Sequence, residues 1–125
     1  MNCVLTALLL LAIEFAPPAR TLAAELNLAF SEYRKLLTRF REGDLQTPVE
    51  TLARSSRESV AIARRQLLAD PWSRADLKAA ALLHALVAAT KGSEGDLGMR
   101  NFHLKTAEEI LNEVYKQRAK KTADG

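Results

Sequence analysis

His84 and His103 are the only imidazoles in the chain. A neutral imidazole can ligate a metal, carry a proton or hydrogen-bond a second ring. The two fall on adjacent predicted helices, so they can face each other across one turn of the chain. A structural zinc site wants four ligands. At helical spacing only Glu108 lies near His103, and no carboxylate lies near His84. The residues therefore read as a hydrogen-bonded pair at a helix–helix contact, with a metal or small-ligand site on His84 and His103 as the open alternative. Met99 precedes His103 by four positions on the same helix, so the two cannot take opposite faces of one haem. Covalent haem attachment is excluded, because no Cys-x-x-Cys-His occurs.

Other catalytic arrangements are missing. The chain has no Gly-x-Ser-x-Gly, no His-Glu-x-x-His and no Gly-x-x-x-x-Gly-Lys phosphate loop. Glu108 and Glu109 are adjacent, which on a helix turns them about 100° apart and spoils them as a carboxylate pair. The stretch from Gly92 to Gly98 carries Glu94 and Asp96, which would repel a phosphate, and it reads as a flexible interhelix loop. The expectation is a non-enzyme with no catalytic residue and no cofactor.

The charge balance adds little. Eighteen Lys+Arg against fifteen Asp+Glu give a formal net charge of +3. Arg34, Lys35, Arg39 and Arg41 decorate one predicted helix, and Arg54, Arg57, Arg64 and Arg65 lie opposite the apolar stripe of the next. Such faces are usually solvated, with the arginine stems packed on apolar neighbours. An anionic partner (an acidic peptide, a lipid headgroup or an envelope polymer) is the functional version, and nucleic acid fits poorly at so low a net charge.

At 125 residues the chain has room for one small domain. It is rich in Ala, Leu, Arg, Lys and Glu and poor in β-branched residues, which favours helix over strand. Val4 to Ile13 (VLTALLLLAI) is apolar except for Thr6. Ten residues are too few to cross a bilayer, which needs about 20, but they match the core of a secretory signal. Pro17, Pro18 and Arg20 follow, then the small residues Ala23 and Ala24. Residues 1–24 are thus expected to be a cleaved signal peptide, residues 25–121 a helical domain and residues 122–125 a disordered tail. The localisation that follows is periplasmic or secreted, with anchoring by the apolar segment as the alternative. Cys3 is the only cysteine, so the mature chain would have none and would rely on helix packing.

Four helices are expected in that domain. Leu26, Ala29, Phe30, Tyr33, Leu37 and Phe40 recur at steps of three and four, and Gly43 ends their helix. Thr47, Pro48 and Glu50 look like a cap, a first helical residue and a capping-box acid. A second helix, with Val49, Leu52, Ser56, Val60, Ala63 and Leu67 on one side, would run unbroken to Ala69, roughly 30 Å. Asp70-Pro71-Trp72-Ser73 interrupts the chain, with Ser73 and Asp76 as the next cap pair. The third helix spans Ala75 to Lys91 and buries Leu77, Ala81, His84, Val87 and Ala88. The fourth starts near Asp96 to Met99 and carries Leu104, Ala107, Leu111, Val114 and Tyr115.

Glu42-Gly43-Asp44-Leu45 recurs as Glu94-Gly95-Asp96-Leu97, 52 positions later. Leu52 and Leu104 follow the repeated leucines by seven, and the small Ser55 and Ala107 follow by ten. A glycine corner followed by apolar and small positions is what stacked helical hairpins need. Tyr33, Leu37, the first corner, Val49 and Leu52 resemble one tetratricopeptide-type hairpin. Ala80 to His84, Gly95-Asp96, His103-Leu104, Ala107 and Leu111 resemble a second. The combination resembles exported bacterial proteins with tetratricopeptide-like repeats. That resemblance implies an all-α fold of two antiparallel hairpins that binds a protein or peptide partner, with contacts from Arg34, Thr38 and Arg41. Self-association and envelope association stay open.

Overall fold

The computed structural model describes the backbone of residues 28–124 and the side chains of residues 28–120. The expected signal segment, residues 1–24, and Leu26 lie outside the described residues. Every element within them is helical: α1 Phe30–Arg41, α2 Gln46–Arg54, α3 Arg57–Ala69, α4 Arg74–Ser93 and α5 Leu97–Asp124. The all-α class is correct. The count of four is not, because the expected second helix is two.

The interruption lies at Ser55-Ser56. Both serines take extended backbone angles, with ψ near 152°. Serine hydroxyls compete with the helical ladder for backbone groups. Here the Ser55 hydroxyl donates to the Thr51 carbonyl (3.1 Å), while the Ser56 hydroxyl accepts from the Ser59 N–H (3.1 Å) as the cap of α3. Leu52, Val60, Ala63 and Leu67 are still fully buried, but Ser56 is exposed and Ser55 and Ser59 take the inward positions.

The two repeated corners are the same structure. Gly43 and Gly95 adopt φ of +108° and +83°. Asp44 N–H reaches back to Arg39 O (3.0 Å) and Gly43 N–H to Phe40 O (3.1 Å). Asp96 N–H to Lys91 O (2.9 Å) and Gly95 N–H to Gly92 O (3.1 Å) repeat the pattern. Each is a Schellman closure of one helix. Each aspartate then opens the next helix, with Asp44 Oδ1 accepting from Thr47 N–H and Asp96 Oδ1 from Met99 N–H, both at 3.1 Å. The expected Thr47 cap is thereby corrected. The carboxylate three residues earlier takes that role, and α2 begins at Gln46. The interhelix loop expected from Gly92 to Gly98 shrinks to Glu94–Asp96, since α4 runs through Ser93 and α5 begins at Leu97.

Helices α4 and α5 fold back on each other at the second corner and form the most extensive contact. Helices α1 and α2 pack on α4, α3 packs on α5, and α1 also touches α2 and α3. Helix α4 buries Leu77, Ala80, Ala81, Leu83, His84, Val87 and Ala88, and includes every position expected to be buried. Helix α5 buries only part of its apolar set. Leu104 and Tyr115 face solvent, and His103, Thr106, Ile110 and Val114 face inward with Ala107. Helix α5 also continues to Asp124, past the expected domain end at residue 121.

No atom lies within 4 Å of a Cβ built on Gly43 or Gly95, so only backbone conformation requires glycine there. Gly43→Ala and Gly95→Ala should each destabilise the chain by about 1–2 kcal/mol through left-handed strain alone, read from urea unfolding midpoints at unchanged m-value.

Candidate functional site

Three polar side chains meet in the core, one from each of three helices. Tyr33 of α1, His84 of α4 and His103 of α5 are all 0% exposed. The Tyr33 hydroxyl lies 3.2 Å from His84 Nε2, and His84 Nδ1 lies 3.1 Å from His103 Nδ1. The two imidazole planes differ by 22° with centroids 5.3 Å apart. With the facing nitrogens 3.1 Å apart, that separation describes rings meeting edge to edge through one N–H···N bond.

Proton counting fixes the direction of the chain. A neutral imidazole has one donor and one acceptor nitrogen. If Tyr33 O–H donates to His84 Nε2, His84 Nδ1–H donates to His103 Nδ1, and His103 Nε2 carries a proton. The opposite direction leaves the Tyr33 hydroxyl hydrogen without an acceptor and His103 Nε2 as a bare lone pair. The first arrangement leaves fewer groups unmet and is assigned on that ground. His103 Nε2 has no hydrogen-bond partner in either case.

Burial sets the charge state. Desolvation, then the neighbouring His103 and the Arg64 cation, push His84 from 6.5 down to about 3. Desolvation, then Lys91 and Arg57, push His103 from 6.5 down to about 4. Burial holds the Tyr33 phenol well above its ordinary 10.0. The site is uncharged at neutral pH.

Cations fringe it. Arg64 of α3 forms an ion pair with Glu109 of α5. The Arg57 guanidinium lies 5.4 Å from the centre of the Phe102 ring, and its Nη2 is 3.8 Å from Met99 Sδ. Phe102 in turn meets His103 edge-on at 5.2 Å. Lys91 pairs with Glu94 at 3.4 Å. Arg57, expected on a solvated face opposite the core, is exposed and reaches α5 along the surface, while Arg64, expected on the same face, is instead half-buried against α5. Arg54 and Arg65 are exposed as expected.

The structure brings together the two histidines that the sequence singled out. Their Nδ1 atoms are turned onto each other as a hydrogen-bonded pair. Among the described residues no group of three His, Cys, Asp or Glu is placed to hold a metal ion. Glu108, the carboxylate nearest His103 in sequence, is exposed. In the sequence Tyr33 stands out only as a member of an apolar stripe and of the first hairpin. Its signal was a phenol in the middle of a buried face, which needs a partner for its hydroxyl.

The residues expected to contact a partner are largely engaged within the chain. Arg34 lies 6.0 Å from the centre of the Phe30 ring and 5.5 Å from that of Trp72. Arg41 pairs with Asp76 at the start of α4. Thr38 lies exposed between them. Elsewhere, a mostly apolar groove of about 480 Å³ runs between α2 and α4, lined by Leu45, Val49, Leu86 and Ala89 among others.

Scans of protein-family models and searches of curated proteins and of solved structures return no match to this chain. Among the described residues no helix is long and apolar enough to cross a membrane.

Tyr33→Phe keeps the ring and removes the donor to His84 Nε2, so it isolates the hydroxyl from the packing. It should cost about 1–3 kcal/mol in urea unfolding at pH 7.5, the usual penalty for orphaning a buried acceptor.

Proposed function

We propose that this chain is a non-catalytic, exported helical scaffold that binds another protein or a peptide, in the manner of tetratricopeptide-like hairpins. The observation carrying this reading is the set of large apolar side chains in solvent on α4 and α5. Leu82 is 55% exposed, Leu97 53%, Leu104 48% and Tyr115 61%. On α5, Leu97, Leu104 and the half-buried Leu111 recur every seven residues, with Tyr115 four beyond, so all lie along one side of the helix. A row of apolar side chains in water is the usual mark of a protein-binding face. The neutral, buried histidine pair supports a structural role for the two imidazoles.

The reading also draws on the two Glu-Gly-Asp-Leu corners, each joining two helices, α1 to α2 and α4 to α5. The split of the second helix departs from a regular repeat, so the likeness is to the hairpin unit and its use. Because Arg34 and Arg41 are occupied within the chain, the binding face is placed on α4 and α5, and Thr38 is its outlying α1 candidate. Export rests on the Val4–Ile13 run and the small residues at Ala23-Ala24.

A Leu82→Glu/Leu104→Glu variant should keep the helical circular-dichroism spectrum and melting temperature of the parent, since both side chains are solvent-facing. In affinity capture from an envelope extract it should lose the partner that the parent retains by at least tenfold. Equal capture by both proteins would overturn the assignment, and sedimentation equilibrium of the parent identifies a second copy as the partner if that is what binds. N-terminal sequencing of the protein recovered from producing cells should read Glu-Leu-Asn, beginning at Glu25; an intact Met1 would defeat the export half of the proposal.

A further inference from the structure

We propose that the Tyr33–His84–His103 chain is an acid-operated latch, which holds α5 to α4 and α4 to α1 while both imidazoles are neutral and releases α5 when they take up protons.

The hydrogen-bond pattern makes the latch specific to the neutral state. The pair has a single N–H to share across its 3.1 Å gap. A first proton on either ring forces His84 Nε2 to become a donor. The Tyr33 hydroxyl, 3.2 Å away, then loses its only acceptor while fully buried. A second proton sets two N–H groups head to head across the gap, and no bond survives. His103 Nε2 offers no relief, having no partner to receive its proton.

The surroundings oppose the charge from every side. Helix α1 presents the Tyr33 hydroxyl, and its charged residues Glu32, Arg34, Lys35, Arg39 and Arg41 are exposed. The charged residues of α2, Glu50 and Arg54, are exposed as well. Helix α3 brings the cations Arg57 and Arg64, and α4 brings the cation Lys91. The acids beside those cations, Glu109 and Glu94, are already paired with Arg64 and Lys91. An imidazolium formed here gains no counter-ion and lies among like charges.

The sign of the effect follows from linkage. Both histidines have folded pKa values below the ordinary 6.5, about 3 and about 4, so the open state binds more protons. The stabilisation is present above pH 6.5 and is lost as pH falls toward the folded values, about 4 for His103 and about 3 for His84. From pH 6.5 to 4.5 the opening equilibrium should rise roughly fortyfold for one ring and on the order of a thousandfold for both. That window lies above most carboxylate titrations, which separates the latch from ordinary acid unfolding. Opening would also dismantle the α4–α5 apolar face, although the latch itself does not depend on what that face binds.

The test is amide hydrogen exchange of the full chain by NMR at several pH values, corrected for intrinsic rates. Between pH 6.5 and 4.5 the amides of residues 103–114 should lose protection by at least a hundredfold, while those of α2, which packs on α4 and α1, change less than threefold. In His84→Gln/His103→Gln, whose amides hydrogen-bond without titrating, the loss should vanish. Equal loss of α2 and α5 protection, or a change below tenfold in α5, would overturn the proposal. Should that variant not fold, imidazole ¹⁵N shifts of the parent decide. Rings neutral at pH 5.5 in the folded protein support the latch, and rings that titrate near 6.5 with α5 still protected refute it.

Discussion

The fold turns on one requirement: three polar side chains buried in a small helical core must satisfy one another, because no water reaches them. A buried polar group without a partner costs more than most single apolar contacts return. Tyr33, His84 and the facing nitrogen of His103 meet that requirement only if α1, α4 and α5 bring their rings into line, and His103 Nε2 alone is left unpaired. Apolar side chains tolerate sliding and rotation, since one aliphatic contact replaces another at little loss. The imidazole pair does not. It gives the mainly aliphatic surface of α4 a fixed register against its neighbours, a role for which buried polar groups are well suited.

That requirement explains how α5 lies. Its sequence offers two apolar rows about a quarter-turn apart. One contains Leu97, Leu104, Leu111 and Tyr115, and the other contains Ala107, Ile110 and Val114 with His103 and Thr106. Bulk alone favours burying the first, yet the second faces the core. Turning His103 inward satisfies His84, and the same rotation places Glu109 beside Arg64 and Phe102 under Arg57. Thr106 costs little when buried, because its hydroxyl donates to the Phe102 carbonyl of its own helix at 2.9 Å. The leucines left outside are the residue of that choice, and they supply the face assigned to binding.

Much of this was legible in the sequence and some was not. The helix-rich composition, the buried side of α4, the Ser73–Asp76 cap and both glycine corners follow from local rules, and the structure has them as the rules require. The Ser55-Ser56 break was missed because apolar spacing continues across it, and only hydroxyl competition for the backbone marks it. The histidine contact was within reach, but Tyr33 as its third member was not, because a phenol in an apolar stripe counts as a hydrophobe. The phase of α5 does not follow from periodicity, which ranks rows by bulk. Pairing between helices distant in sequence decided the matter.

The extended step at Ser55-Ser56 has a geometric consequence. Within an unbroken rod, Leu52 and Val60 would be locked at an angle set by the pitch, and whatever suited α2 would dictate the aim of α3. With two residues of extended backbone between them, that phase relation is dissolved. The first rod can answer to α4 while the second swivels to meet α5. The joint works as a universal coupling: it transmits connection without transmitting rotation, and so one stretch of chain can serve two differently oriented neighbours.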